Sequence, residues 1–183
     1  MQKYLITSEE FYGTTPELFR SKLDAQIQKH KPSYALYRDK ANPNYKELAA
    51  VFADVCRGYK GLKCFLHQDA ELANKLGVSG VHLTSAQFEE IQEAKRMGLF
   101  VIISTHTQEE LLRAQKLGAD AVTYSPIFAS PNKGEPKGVE ELKRILDISY
   151  IKVFALGGIV TQEQVEMIEE SKAYGFASIR YFY

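Results

Sequence analysis

Apolar and polar positions along this chain follow two alternating patterns. Short apolar runs recur about every twenty residues, and between them the apolar residues have the three- and four-residue spacing of a helix. One such helical stripe is Leu48, Val51, Phe52 and Val55. The short runs predict eight strands, at Tyr4–Thr7, Tyr34–Arg38, Lys63–Leu66, Gly80–Leu83, Phe100–Ser104, Ala121–Tyr124, Val153–Leu156 and Gly175–Arg180.

The ends of the predicted helices carry local signals. Thr107 is followed three residues later by Glu110, and Thr161 by Gln164, and both pairs are capping-box patterns that predict a helix start. Glycines are expected to close helices before the next strand, at Gly58, Gly77, Gly98 and Gly118. A strand followed by a helix is therefore the repeating unit.

Eight such units favour a parallel sheet closed into a (β/α)8 TIM barrel. The alternative is an open doubly wound sheet, but that fold favours a glycine-rich turn after its first strand, and Thr7-Ser8-Glu9-Glu10 stands there instead. With 183 residues the barrel is short for its class, and we expect one domain over 1–183. Because the chain stops just after the eighth strand, the last helix is expected to be missing or truncated.

Composition narrows the range of partners. Lys and Arg together number 23, as do Asp and Glu, so no overall field favours nucleic acid or an anionic membrane. The two cysteines, Cys56 and Cys64, have neither metal-ligand spacing nor the density of a disulfide scaffold. Without a signal peptide or a long apolar segment, a cytoplasmic location is expected. The tail Tyr181–Tyr183 should pack on the barrel or on a partner, which leaves a homodimer open.

Two loops near the end of the chain carry the strongest chemical signal. Ser130, Asn132 and Lys133 follow the sixth strand and supply hydroxyl, amide and ammonium donors. Gly157 and Gly158 follow the seventh strand, where backbone N–H groups can approach an anion closely. In a TIM barrel the strand ends meet at one mouth, so these loops predict a site for a phosphate or diphosphate.

Other strand ends add to the same mouth. Arg38 and Lys40 follow strand two, and His67 with Gln68 follows strand three. The remaining candidates are Ser104 and His106 after strand five, and Arg180 at strand eight. Several of them also have ordinary structural interpretations, such as solvated surface charge for Arg38 and Lys40. His82 is interpreted as a histidine of the barrel interior.

The motifs, in this order, resemble those of thiamine phosphate synthases and their relatives, the thiazole tautomerases. Arg38-Asp39-Lys40 is similar to their Arg-x-Lys, and Leu156-Gly157-Gly158-Ile159 to their Ile-Gly-Gly-Ile. Pro126-Ile127-Phe128 followed by Ser130-x-Asn132-Lys133 resembles Pro-Ile-Phe-x-Thr-x-Thr-Lys. The likeness covers essentially the whole chain.

The resemblance implies a transferase of thiamine biosynthesis that joins hydroxymethylpyrimidine diphosphate to thiazole phosphate and releases diphosphate. By the same likeness, Arg38, Lys40 and Lys133 would act on the diphosphate, with Ser130 and Asn132 donating to it. Gly157 and Gly158 would hold the thiazole phosphate. Two alternatives are a metal-independent isomerase with His106 or His67 as acid–base, and a phosphate-ligand binder without catalysis.

Departures from the family pattern concern the metal above all. The two aspartates that bind magnesium in the family correspond to Gln68 and Gln87, and the amide oxygen is a weaker ligand for this hard cation. No metal ligand is therefore assigned, and magnesium is expected only together with a diphosphate substrate. The catalytic histidine of the tautomerases corresponds to Pro126.

Overall fold

Eight parallel strands close into a barrel in the computed structural model, which describes residues 1–183. Each strand pairs with its two neighbours in chain order, and β1 pairs with β8. The strands are β1 Gln2–Ile6, β2 Tyr34–Tyr37, β3 Lys63–His67, β4 Gly80–Leu83, β5 Phe100–Thr105, β6 Ala121–Tyr124, β7 Lys152–Leu156 and β8 Gly175–Ser178. The predicted TIM barrel is confirmed.

Eight helices surround the barrel. They are α1 Glu9–Tyr12, α2 Pro16–His30, α3 Tyr45–Arg57, α4 Ala70–Leu76, α5 Ile91–Arg96, α6 Gln108–Leu117, α7 Gly138–Ile148 and α8 Gln162–Glu170. Short helices such as α4 and α5, with seven and six residues, explain how so short a chain closes a full barrel. None of these helices has the length and apolar character needed to cross a membrane.

The last unit of the barrel differs from the others. β8 ends at Ser178, two residues earlier than predicted, and a 3₁₀ turn over Arg180–Phe182 follows it in place of a helix. Phe182 is fully buried and stacks on Phe176, with ring centroids 5.5 Å apart. The hydroxyl of Tyr183 accepts a hydrogen bond from Lys22 at 2.7 Å. Within residues 1–183 no α-helix follows β8, and the aromatic tail packs on the barrel.

Alternation along the strands divides the core into two regions. Side chains such as Leu5 and Leu66 point outward and form the large cluster between barrel and helices. The barrel interior is a smaller cluster of Tyr4, Ile6, Tyr34, Leu36, Phe65, Ile102, Ala121, Phe154 and Ala177. Aromatic rings fill its lower half, toward the amino ends of the strands, so the open cavity lies at the carboxyl ends.

Helix caps follow the predicted signals with one instructive difference. Thr161 and Gln164 form a complete capping box at α8. Thr107 caps α6 as predicted, accepting from Glu110 N at 3.1 Å. The Glu110 carboxylate, however, accepts from the backbone N–H of His106 at 2.7 Å, one residue further back than in a capping box. This ties the strand β5 end to the start of α6.

Candidate active site

The mouth of the barrel holds a cavity of about 700 Å³, within the usual range for small-ligand pockets. It is bounded by the carboxyl ends of the strands and the loops that follow them. Of the candidate residues predicted from the sequence, ten line it: Arg38, Lys40, His67, Ser104, His106, Ser130, Lys133, Gly157, Gly158 and Arg180. The structure therefore brings together residues that are far apart in the chain, from Arg38 to Arg180.

One predicted residue stands apart from this cavity. Asn132 lies at the exposed tip of the loop after β6, with a left-handed φ of 58°, and does not line the cavity. Its neighbours Ser130 and Lys133 do, because the backbone turns between them through a hydrogen bond from Lys133 N to Ser130 O. Asn132 shapes this turn as well as being a candidate donor.

The loop after β6 is held against the end of β7. Ile127 N donates to Leu156 O at 2.9 Å, and Phe128 N donates to Gly157 O at 3.0 Å. Both glycines have positive φ, 104° for Gly157 and 67° for Gly158. A Cβ on Gly157 would lie 2.6 Å from Pro126 Cα, so only glycine permits this close packing of the two loops.

The glycine pair leaves backbone donors free. The N–H groups of Gly157 and Gly158 have no acceptor within the protein. The following helix start is different, because Val160 N and Thr161 N both donate to the Gln164 side chain. An anion at this end of the cavity would therefore meet the glycine amides and not the capped start of α8.

Four cations line the same cavity, and none of them is paired with a carboxylate, although Glu10 is also part of the lining. Arg38, Lys40, Lys133 and Arg180 form no ion pair, although nine ion pairs occur elsewhere or at the chain end. Arg38, together with partial burial and Lys133, lowers the pKa of Lys40. Burial also lowers the pKa of Arg38. Unpaired cations held this close indicate that an anionic ligand completes the site.

Two histidines lie between the cations and the aromatic interior. His67 is only 7% exposed, and burial together with Arg38 and Lys40 lowers its pKa to about 4. His82 is 3% exposed, and burial, His67 and Arg38 lower its pKa to about 3. Both rings are therefore neutral near pH 7. The interpretation of His82 as an interior histidine agrees with this position. Its hydrogen bonds with Tyr4 and Ser104 could not be predicted from the sequence.

His106 has a different setting. Its side chain is 43% exposed, and its Nδ1 lies 3.4 Å from Glu110 Oε2. The same carboxylate accepts from the backbone of His106, so Glu110 fixes both ends of this residue. His106 is thus held at the rim of the cavity, next to the helix cap.

The residues that correspond to the family's metal ligands do not fit a carboxylate-bound magnesium ion. The Gln87 side-chain oxygen accepts from Thr84 N at 3.0 Å, and its amide donates to Gln68 O at 3.1 Å. The Gln87 amide also contacts the Glu90 carboxylate. Asp69 is engaged as the cap of α4, accepting from Leu72 N at 2.9 Å. No cluster of three His, Cys, Asp or Glu side chains suited to a metal ion occurs. The side chains of Gln87 and Asp69 therefore stabilise turns.

The fold and the mouth define this protein as a TIM barrel with a cationic cavity and free glycine amides at the carboxyl ends of its strands. The family model described as "Thiamine monophosphate synthase" matches residues 3–182. The chain belongs to this family.

Two relatives support that assignment, and one solved structure shares the fold. A protein of Aquifex aeolicus named "Putative thiamine-phosphate synthase 2" is 31% identical over 183 residues, covering 98% of this chain and 96% of the relative. The thiamine-phosphate synthase of Caldicellulosiruptor bescii is 29% identical, covering 90% of this chain and 77% of that one. The thiamine phosphate pyrophosphorylase of Pyrococcus furiosus shares the fold, with a TM-score of 0.80, 22% identity, and coverage of 97% and 85%.

Proposed function

We propose that this protein is a thiamine-phosphate synthase, a transferase of thiamine biosynthesis that acts in the cytoplasm. Its substrates would be hydroxymethylpyrimidine diphosphate and thiazole phosphate, and its products thiamine phosphate and diphosphate. The observation that carries the proposal is the group of four cations without carboxylate partners in the lining of the mouth cavity. The identity of the two substrates is inferred from membership of the family.

Two groups of donors in the cavity suit two different anions. Arg38, Lys40 and Lys133 would bind the diphosphate and stabilise the negative charge that grows on it as its bond to carbon breaks. The free N–H groups of Gly157 and Gly158 would bind the thiazole phosphate, with Arg180 as a nearby cation. Ser130 would add a hydroxyl donor for the diphosphate.

Magnesium would reach this site only as a complex with diphosphate, whose own oxygens would supply ligands that Gln68 and Gln87 do not. The protein's cations would then provide most of the charge stabilisation. Changing Gln68→Asp together with Gln87→Asp should increase magnesium affinity, which isothermal titration with magnesium alone would measure. Unchanged magnesium binding in the double variant would show that these positions do not face the diphosphate.

A turnover assay with both substrates tests the function itself. Thiamine phosphate should form in the presence of magnesium, and the Lys133→Ala variant should form it far more slowly. Lys137→Ala is the matched control, because Lys137 lies on the same loop but outside the cavity, over the ring of Tyr124. Tight binding of both substrates without product would contradict a synthase and indicate a binding protein. Conversion of a thiazole substrate alone would indicate an isomerase.

A further inference from the structure

A buried chain of three side chains connects the aromatic interior of the barrel with the mouth. The hydroxyl of Tyr4 lies 2.8 Å from Nδ1 of His82, and Nε2 of His82 lies 3.0 Å from Oγ of Ser104. Tyr4 is fully buried and His82 is 3% exposed, whereas Ser104 lines the cavity. The chain therefore has one end closed to solvent and the other end at the candidate active site.

The closed end determines the direction of the hydrogen bonds. The rings of Tyr34, Phe65 and Phe154 pack around Tyr4, so His82 Nδ1 is the only hydrogen-bond partner of its hydroxyl. Burial raises the pKa of Tyr4 well above its usual value, and the phenol keeps its proton. Because a buried O–H without an acceptor is costly, Tyr4 must donate to Nδ1.

The direction of the hydrogen bond at Nδ1 determines whether the other ring nitrogen, Nε2, carries a proton. Nδ1 accepts a hydrogen bond and so carries no proton, and in a neutral imidazole the proton then lies on Nε2. A cationic ring, with protons on both nitrogens, is disfavoured because His82 is buried beside His67 and Arg38. Nε2–H donates to Ser104 Oγ.

The open end is left with one free hydrogen. Ser104 Oγ accepts from His82 and has no other partner in the protein. Thr123, its register neighbour on β6, does not take the hydroxyl hydrogen, since Thr123 Oγ1 has no hydrogen-bond partner. The Ser104 hydrogen is therefore available to the cavity.

We propose that Tyr4 and His82 are positioning residues that orient the Ser104 hydroxyl so that its hydrogen is donated to the substrate. The matching substrate atom has a lone pair and no hydrogen, as in a phosphoryl oxygen or an aromatic ring nitrogen. A substrate analogue with an N–H group and no lone pair at this point should bind more weakly, because it offers no acceptor to the Ser104 hydrogen. The role in turnover rests on the proposed function, but the state of the histidine does not.

The state of the His82 ring can be measured without any ligand. Nitrogen-15 NMR of the wild-type protein, with the His82 signals assigned by comparison with His82→Gln, distinguishes the two neutral tautomers and the cation. Between pH 6 and pH 8 we expect an unprotonated Nδ1 and a protonated Nε2. A proton on Nδ1 in this range, in either the neutral or the cationic ring, would overturn the proposal.

Two tyrosine variants separate the hydrogen bond from general packing. Tyr4→Phe removes the donor to Nδ1 and should shift the His82 signals toward a mixture of tautomers. Tyr34→Phe is the matched control, because Tyr34 also lies in the interior but its hydroxyl pairs with Tyr174 at 2.8 Å. Equal effects of the two variants on His82 would mean that Tyr4 does not set the tautomer.

Turnover gives the second test. Tyr4→Phe and Ser104→Ala should each lower kcat/KM about 3- to 10-fold, the loss of one hydrogen bond. The double variant should be no worse than the poorer single variant, because both changes remove the same directed donor. Multiplying losses would overturn the coupling. If the wild type has no synthase activity, the proposed function fails, while the NMR result still decides the tautomer.

Discussion

The cations at the two ends of the barrel interior make different contacts. At the floor, Lys63 lies over the rings of Tyr34 and Phe100, and Lys152 over those of Phe100 and Tyr174, at 5.2 to 5.4 Å from the centroids. At the mouth, the four cations of the cavity contact neither an aromatic face nor a carboxylate.

This difference indicates that the floor contributes to the stability of the fold and the mouth to ligand binding. Cations over aromatic rings gain attraction in the free protein, so the floor stabilises the fold by itself. Mutually repelling cations at the mouth reduce stability until an anion arrives. The mouth histidines add a cost only in acid, because burial and the neighbouring cations oppose their protonation.

The largest expected effect is at the floor. Phe154 is fully buried and packs on Tyr4, Tyr34 and Tyr174 with centroids 5.0 to 5.2 Å apart. Phe154→Ala should lower the free energy of unfolding by about 3–5 kcal/mol, through lost burial and a cavity. Urea denaturation measures it. Leu156→Ala, two residues further along at the mouth, is the control and should lower the free energy of unfolding clearly less. An equal loss would contradict the distinction between a stabilising floor and a ligand-binding mouth.

The second effect is a loss of stability in acid. His67 has a folded-state pKa of about 4 against about 6.5 when unfolded, so between these values the unfolded chain binds more protons. His67 alone should therefore lower the free energy of unfolding by about 3 kcal/mol as pH drops from 6.5 to 4.

Variants assign this acid sensitivity to one end of the barrel. His67→Asn should show a smaller drop in unfolding free energy over the same pH range, whereas Lys152→Met at the floor should keep the full drop. Denaturation curves at each pH measure both. His82 contributes in the same sense, with a pKa of about 3, so some acid sensitivity should remain in His67→Asn. An unchanged drop in that variant would show that His67 is not its source.

Ligand affinity should respond only at the mouth. Lys133→Ala should weaken the binding of inorganic diphosphate by about 1–3 kcal/mol, the range for a charge-assisted hydrogen bond, while its stability stays within about 0.5 kcal/mol. Isothermal titration gives the affinity. Lys137→Ala should leave it nearly unchanged, and an equal loss in both variants would mean that only net charge matters.

The smallest effect concerns the floor cations. Lys152→Ala should lower the free energy of unfolding by about 0.5–1 kcal/mol, through loss of its contacts with two ring faces. Lys152→Met keeps much of the aliphatic stem and isolates the contribution of the charge. Diphosphate affinity should not change in either variant. A measurable loss of affinity would show that the floor and the mouth are coupled.

Local sequence signals specify the strands and helices of this protein and their order. Strand positions were predictable to within two residues because an apolar run and its turn residues are local signals. Thr161 with Gln164 specifies a helix start for the same reason. The strand order then placed Arg38, Lys133 and Gly157 at one mouth, since parallel strands in a barrel share their carboxyl end.

Which side chains meet, and what each can do there, depends on how the barrel closes and is not specified by local sequence. Tyr4 and His82 are 78 residues apart, and no local pattern connects them. The sequence also placed Arg180 in β8, whereas the strand ends two residues earlier, where the Ser178 hydroxyl donates to Ile159 O. Glu110 holds His106 by a contact that its capping pattern does not specify. Hydrogen-bond direction and charge pairing depend on distances between distant segments, which closure of the barrel alone sets.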